Sequence, residues 1–499
     1  MSSSYDIVAI VLVTVATLGI GALGMRLSRT TSDFYVASRS VSPRLNGSAI
    51  GGEYLSAASF LGVAGLVLVA GADMLWYPIG WTTGYLFLLV FVSAPLRRSG
   101  AYTIPDFAQL RLRSPTVRRA AGLLVVAIGW LYLMPQFQGA GLTVSAVTDA
   151  PGWVGTVLVA AIVVVNVMSG GMRSITFVQA FQYWLKLTCL LVPLFFLWLA
   201  WRSDGAPSPV VDADWLLPQN GGTPIDLYVT YSVIVATFLG TMGLPHVVVR
   251  FYTNPDGAAA RRTTVIVLGL LMLFYLLPTA YGVLGRIYAS DLIGTGQADT
   301  VVLALPGRML GSGADLLTAL LTAGAFAAFL STSSGLTMSI AGVVGQTISA
   351  RRMFGGRLTG IPALRVAAAI TVTVPLALAL AAERIPVANS VTFAFALAAS
   401  TFCPLLVLGI WWRGLTAPGA LAGLVGGGLA ATLAPVLTIT TDPEGWVGAL
   451  LGQPAAWSVP LGFGLMIGVS LLTRSRVPDD VNRTMIRLHL PENVQLRRP

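Results

Sequence analysis

A handful of residues in this chain carry polar chemistry where their neighbours are apolar. Gly51-Gly52-Glu53-Tyr54-Leu55-Ser56-Ala57-Ala58-Ser59 interrupts an apolar run spanning 45–70. That run is long enough to cross a bilayer, which takes roughly 20 residues. A carboxylate at such depth costs on the order of 3 kcal/mol and marks an ion or substrate path by default. The glycines beside it let the helix unwind, and unwound backbone is tolerated there only where it lines a buried or wet cavity. At 1.5 Å per residue Glu53 lies about 13 Å from Arg44, so reaching the interface would strain it. The lone lysine, Lys186, is deeper still in another apolar run. It shares a helical stripe with Gln179, Gln182 and Tyr183. Such a stripe faces protein or a cavity rather than lipid. The run Ala328-Phe329-Leu330-Ser331-Thr332 puts residues 328, 331 and 332 on one face. Two hydroxyls and a freed carbonyl there suit a hard cation such as Na⁺, which takes oxygen ligands and no sulfur. The simpler reading of this motif by itself is that the hydroxyls bond back to their own helix.

These residues need membrane helices to position them. The chain is 55% hydrophobic and only 10% charged, where a soluble protein carries about 25% charged residues. Thirteen spans are predicted: 5–25, 45–70, 74–96, 120–147, 152–169, 174–201, 227–249, 263–285, 312–345, 364–382, 388–412, 416–438 and 455–473. The first reads as a retained helix rather than a cleaved leader, because no basic residue precedes it. Basic residues set the orientation. Arg26, Arg29, Arg39, Arg44, Arg97, Arg98, Arg111, Arg113, Arg118, Arg119, Arg173, Arg250, Arg261, Arg262, Arg351, Arg352, Arg357, Arg365, Arg413 and the arginines of the tail fall on one side. Only Arg202, Arg286, Arg308 and Arg384 fall on the other, together with acids such as Asp149, Asp212, Asp299, Glu383 and Asp442. This places the N-terminus outside and the C-terminus in the cytoplasm. The net charge of +10 follows from that bias and calls for no nucleic-acid partner. Cys189 and Cys403 fall within spans and read as small apolar residues. His246 and His489 stand too far from other ligands for a metal site.

A second interruption, Gly240-Thr241-Met242-Gly243-Leu244-Pro245-His246, lies five spans after the first. Paired interruptions of this kind point to a transporter built from inverted repeats. At this point the chain resembles the sodium/solute symporters, and the acetate permease and monocarboxylate branch in particular. The resemblance rests on Ser32-Asp33-Phe34-Tyr35-Val36-Ala37, on Ser56 to Gly65, and on Tyr132 to Gly141. It rests also on Gly170-Gly171-Met172-Arg173, on Gly243-Leu244-Pro245-His246 with Arg250-Phe251-Tyr252, and on Leu330-Ser331-Thr332.

The resemblance implies an all-α LeuT-type fold, five helices repeated in inverted topology with extra helices outside. It divides a single transporter domain, 1–473, into an extra helix at 5–25, repeat one at 45–201, repeat two at 227–412 and two further helices at 416–473, with a cytoplasmic tail at 474–499. It implies a sodium site made by the carbonyls of Gly52, Leu55 and Ala328 and the hydroxyls of Ser331 and Thr332. Some members carry an acid where this chain has Gln179, and a charged Lys186 repels Na⁺, so proton coupling stays open. Glu53, Gln179 and Lys186 are the candidate coupling residues. Ser56, Ser59, Tyr132, Gln136, Thr241 and Gly243 are the candidate substrate residues, with Lys186 as a counter-charge or as a partner of Glu53. The expected activity is symport of acetate, propionate or pyruvate by alternating access across the plasma membrane, with no covalent chemistry and no cofactor beyond the coupling ion. The alternatives are the same fold carrying proline, urea, pantothenate or a sugar and, more remotely, a sensory module, for which the tail is too short.

Overall fold

The computed structural model describes residues 4–25, 30–148, 150–209, 211, 213–216, 222–350, 359–381 and 387–492. Several arginines and acids of the charge pattern (Arg26, Arg29, Arg351, Arg352, Arg357, Arg384, Arg497, Arg498, Asp149, Asp212 and Glu383) lie outside the described residues. The principal helices are α1 (Ser4–Met25), α2 (Pro43–Tyr54), α3 (Val63–Ala70), α4 (Trp76–Phe87), α5 (Ser93–Ser99), α6 (Pro115–Val147), α7 (Trp153–Ser203), α8 (Pro224–Gly243), α9 (Pro245–Phe251), α10 (Gly257–Tyr288), α11 (Asp315–Ala350), α12 (Ile361–Ala381), α13 (Val387–Trp411), α14 (Ala417–Thr441), α15 (Ala455–Leu472) and the short α16 (Val481–His489). Helices are the expected answer to an apolar solvent, since each satisfies its own backbone polar groups. Their starts are written into the chain. Ser42, Ser114, Thr223 and Thr416 each cap an N-terminus, and each cap is followed by a proline in the first turn.

Among the described residues, eleven helical segments are long and apolar enough to cross a membrane. Two of the eleven are interrupted. Ala58–Ser99 is a 42-residue segment broken at Gly71, whose φ is +62°. Trp153–Ser203, with 51 residues, is broken at Gly171, with φ +59° and ψ −159°. A straight helix of that length would reach about 76 Å, more than twice the hydrocarbon thickness. The break falls in the predicted connection between spans five and six.

The packing has a paired pattern. α2 lies on α7, and α8 lies on α13. α3 packs against α10, and α8 against α4. α11 packs on α7 and on α12, and α6 packs on α13 and on α7. These pairings match those expected between two five-helix halves. Glycine permits the closest approaches: a Cβ on Gly52 would lie 2.0 Å from the Gln179 carbonyl oxygen, and one on Gly243 would lie 2.4 Å from that of Ala398. Gly243, expected at the substrate, is therefore a packing point between α8 and α13.

Candidate functional site

Two helices break near the centre of the molecule. α2 ends at Tyr54, Leu55 leaves the helical region at φ −75° and ψ 88°, and the chain resumes as a π-helical turn at Ala58–Gly62. α8 ends at Gly243, Leu244 is extended at φ −69° and ψ 118°, and Pro245 opens α9. A residue before proline is pushed out of the α region, so the second break follows from the Leu244-Pro245 pair. Each break frees backbone groups that need partners. Gln136 serves one of them: its Oε1 accepts from the Ala57 N–H at 3.0 Å. Gln136 therefore caps the second half of the broken helix, and its amide donates at 3.4 Å to the Tyr132 carbonyl.

The freed carbonyls of the first break point at Lys186. Its Nζ donates to the Gly52 carbonyl at 2.5 Å, to the Leu55 carbonyl at 2.7 Å and to Ser331 Oγ at 3.0 Å. Ser331 Oγ is in turn 2.7 Å from the Gly52 oxygen and 3.0 Å from that of Ala328. Thr332 Oγ1 donates to the Glu53 carbonyl at 2.6 Å. Gln179 donates from Nε2 to the Ser331 carbonyl at 2.7 Å. The rest of the stripe on α7 reaches two further helices: Gln182 donates to Thr17 on α1, and Tyr183 donates to the Leu270 carbonyl on α10. The residues expected at a sodium site thus converge. Gly52, Leu55 and Ser331 meet on one point, Ala328 stands one hydrogen bond behind it, and the Thr332 hydroxyl is taken by the Glu53 carbonyl instead.

Those three oxygens are hard donors of the kind Na⁺ takes. The point on which they converge is filled by the Lys186 ammonium. A sodium ion drawn to the same oxygens would meet a like charge at contact distance, which costs about 4 kcal/mol at 4 Å even in an effective dielectric of 20. With Lys186 charged and in place, Na⁺ does not fit this cradle.

Glu53 pairs with a different cation. Arg250 Nε lies 2.5 Å from Glu53 Oε2, and Arg250 Nη1 donates to Thr176 Oγ1 at 2.9 Å. Both partners of the pair are buried. The positive-inside count treats Arg250 as a cytoplasmic flank residue. It instead reaches inward from α9, within hydrogen-bond range of the lone mid-span carboxylate. A Cβ on Gly335 of α11 would stand 2.1 Å from Glu53 Oε1, so that glycine makes room for the carboxylate.

On the other side of the breaks lies a cluster of buried aromatic rings. Tyr54 meets Tyr85 edge-on with centroids 4.9 Å apart. Trp81 lies 5.8 Å from Tyr275 and 6.0 Å from Phe395. Tyr132 lies 5.8 Å from Phe395 and 5.2 Å from His246. Ser59 Oγ bonds the Tyr275 hydroxyl at 3.0 Å, and Thr241 Oγ1 bonds that of Tyr54 at 2.7 Å. The Trp81 N–H, the Tyr85 hydroxyl and both His246 ring nitrogens are buried without a hydrogen-bond partner among the described residues. Of the residues expected at the substrate, Ser59, Tyr132 and Thr241 belong to this cluster, and buried Ser56 lies in the adjoining break. Tyr54, Trp81, Tyr85, Phe395 and Tyr275 were not predicted. Nothing in a single sequence separates a buried aromatic of a site from one of the core.

The comparisons agree with this geometry. Residues 34–427 match the profile described as the Sodium:solute symporter family. The uncharacterized symporter YwcA of Bacillus subtilis (strain 168) is 32% identical over 488 residues, covering 93% of this chain and 94% of that one. A monocarboxylic acid transporter of Corynebacterium glutamicum is 31% identical over 484 residues, covering 88% and 86%. Among solved structures, a substrate-bound, outward-open Na⁺-coupled sialic acid symporter aligns with a TM-score of 0.70 at 14% identity, covering 94% of this chain and 98% of that one. The transporter Mhp1 in a closed conformation aligns at 0.53 with 13% identity, covering 91% and 98%. The chain is therefore a transporter of the LeuT structural type. It belongs to the sodium:solute symporter family, and it is a multi-pass membrane protein.

Proposed function

We propose that this protein imports small monocarboxylates, such as acetate, propionate or pyruvate, by cation-coupled alternating access across the plasma membrane. The observation that carries this reading is the compact aromatic cluster between the two helix breaks. Its unpaired donors, the Trp81 N–H and the Tyr85 hydroxyl, suit an anion that must replace its water shell. Likeness over most of the length to a protein named as a monocarboxylic acid transporter supports it. In this reading Ser56, Ser59, Tyr132 and Thr241 line the substrate, while Gln136 and Gly243 hold the helices that do. In the same reading the two long segments divide at Gly71 and Gly171, for thirteen crossings with the N-terminus outside, repeats at 45–201 and 227–412, and a cytoplasmic tail; the positive φ at both glycines supports it.

Na⁺ and the proton are both candidate coupling ions. The ammonium in the cradle favours the proton reading, since family membership alone supports Na⁺. Counterflow in liposomes tests the substrate class. Labelled pyruvate should exchange saturably against internal acetate, propionate or pyruvate and not against proline, urea, pantothenate or glucose. Exchange of a neutral or zwitterionic solute with no response to the acids would overturn the proposal.

A further inference from the structure

We infer that Lys186 is the resident cation of the cradle between α2 and α11: a tethered ammonium stands where the family resemblance places a sodium ion. The inference rests on the symporter reading above and refines its ion site.

The hydrogen-bond count supports it. An ammonium has three N–H donors and no acceptor. Lys186 finds three oxygens, those of Gly52, Leu55 and Ser331, at 2.5–3.0 Å. Two of these are carbonyls at the break of the first discontinuous helix and the third is on α11, while the lysine itself is on α7. The side chain thus joins α2 to α11, as an ion between them would, and ties both to α7 with a charge that cannot diffuse away. Elsewhere in this interior the charges are already matched. Glu53 on α2 and Arg250 on α9 bond each other. α11 carries no titratable residue beyond Asp315 at its start, α1 carries only Tyr5 and Asp6 near its outer end, and α12 carries only Arg365. α10 turns Tyr275 and Tyr281 inward, and α6 turns Tyr132 inward. α7 itself adds Tyr183 and Cys189 on either side of the lysine. Among the described residues no carboxylate hydrogen-bonds Lys186: its Nζ is held directly by backbone and hydroxyl dipoles, and the Glu53 carboxylate, itself paired with Arg250, acts on it only through space. A mobile Na⁺ needs those same dipoles and would have to expel the ammonium to gain them.

Removing the side chain should therefore open a sodium site that the natural protein lacks. The test is thermal unfolding of the purified full-length protein in detergent at fixed pH, in NaCl against choline chloride. The wild type should show the same midpoint in both. Lys186→Ala should be stabilised by NaCl, saturably, by about 2–4 °C. The double variant Lys186→Ala/Ser331→Ala should lose that response. A sodium-dependent midpoint in the wild type overturns the inference, and so does a Lys186→Ala protein that folds and ignores sodium. Should the variant fail to fold, equilibrium binding of radiolabelled sodium to the wild type decides: no saturable binding supports the inference, and saturable binding overturns it. These readouts need no substrate. Failed counterflow therefore counts against the monocarboxylate reading alone, and a sodium response in the wild type counts against this inference alone.

Discussion

Glu53 looks like a solitary acid until Arg250 is placed beside it. Ion pairs this deeply buried add little net stability, but removing one partner strands the other charge at a cost of about 3–5 kcal/mol. Glu53→Gln should therefore lower the unfolding midpoint sharply in detergent. Adding Arg250→Leu should recover most of the loss, because neither charge is then unpaired. A single variant that melts like the wild type would show that the 2.5 Å contact carries no weight. The same geometry explains what could be read at this scale and what could not. Glu53 and Lys186 are visible in the sequence as charges inside apolar runs. Their partners are not, because Arg250 sits at the end of a span, where an arginine normally faces water. The tether between Lys186 and Glu53 entertained from sequence is replaced by two separate attachments, a carboxylate–guanidinium pair and an ammonium on carbonyls.

Among the elements, the sharpest constraint is the kink in α7. Gly171 adopts φ +59° and ψ −159°, a region open essentially to glycine alone. A Cβ there would also meet the Phe34 backbone at 2.8 Å. Gly171→Ala should cost about 1–3 kcal/mol from backbone strain before any clash is counted, read as a lower midpoint and a lower yield of folded protein. An unchanged midpoint would mean that the helix can run straight through. Both helix breaks and this kink were legible beforehand, since Gly-Gly and Leu-Pro pairs act through local backbone preference. The span ends were legible too, because caps and prolines act within one turn. What the breaks surround was not legible. Trp81, Tyr85 and Phe395 come together only because α4 and α13 both pack on α8, and no spacing rule links them. Gln136 was assigned to the substrate because its segment resembles a transporter branch. In the structure its oxygen is taken by the Ala57 N–H.

At the scale of the whole molecule, acidity acts through carboxylates that lie outside the spans. Asp299 is the middle residue of a short helical turn, Ala298–Thr300, that lies on α3: a Cβ on Gly65 would come within 2.7 Å of its Oδ1. Burial pushes its carboxyl up from 3.8 to about 6. The folded protein therefore keeps a proton that the unfolded chain releases at lower pH. Stability from this group is complete below about pH 4 and is lost as pH rises through 6. The wild-type midpoint should rise on acidification across that window, and Asp299→Asn should flatten the rise. An identical pH profile in the variant would dismiss the assignment. Asp33 behaves oppositely. Burial works to raise its carboxyl, but hydrogen bonds from Ser38, Thr30 and Arg173 outweigh burial and hold it well below the usual carboxylate range. Its contribution is present above about pH 4 and falls away only in stronger acid, outside the window in which Asp299 acts.

The Glu53–Arg250 pair has one more consequence, and it concerns ancestry. Its members belong to opposite halves of the chain, 197 residues apart, one on each broken helix. Two halves of such a chain could in principle be traded between relatives. Here the charge on one half is completed only by the other. A chimera joined between α7 and α8 would inherit an orphaned carboxylate or guanidinium unless both parents kept the pair. The two halves must then pass through recombination together, and the interior ion pair acts as a mating mark between them.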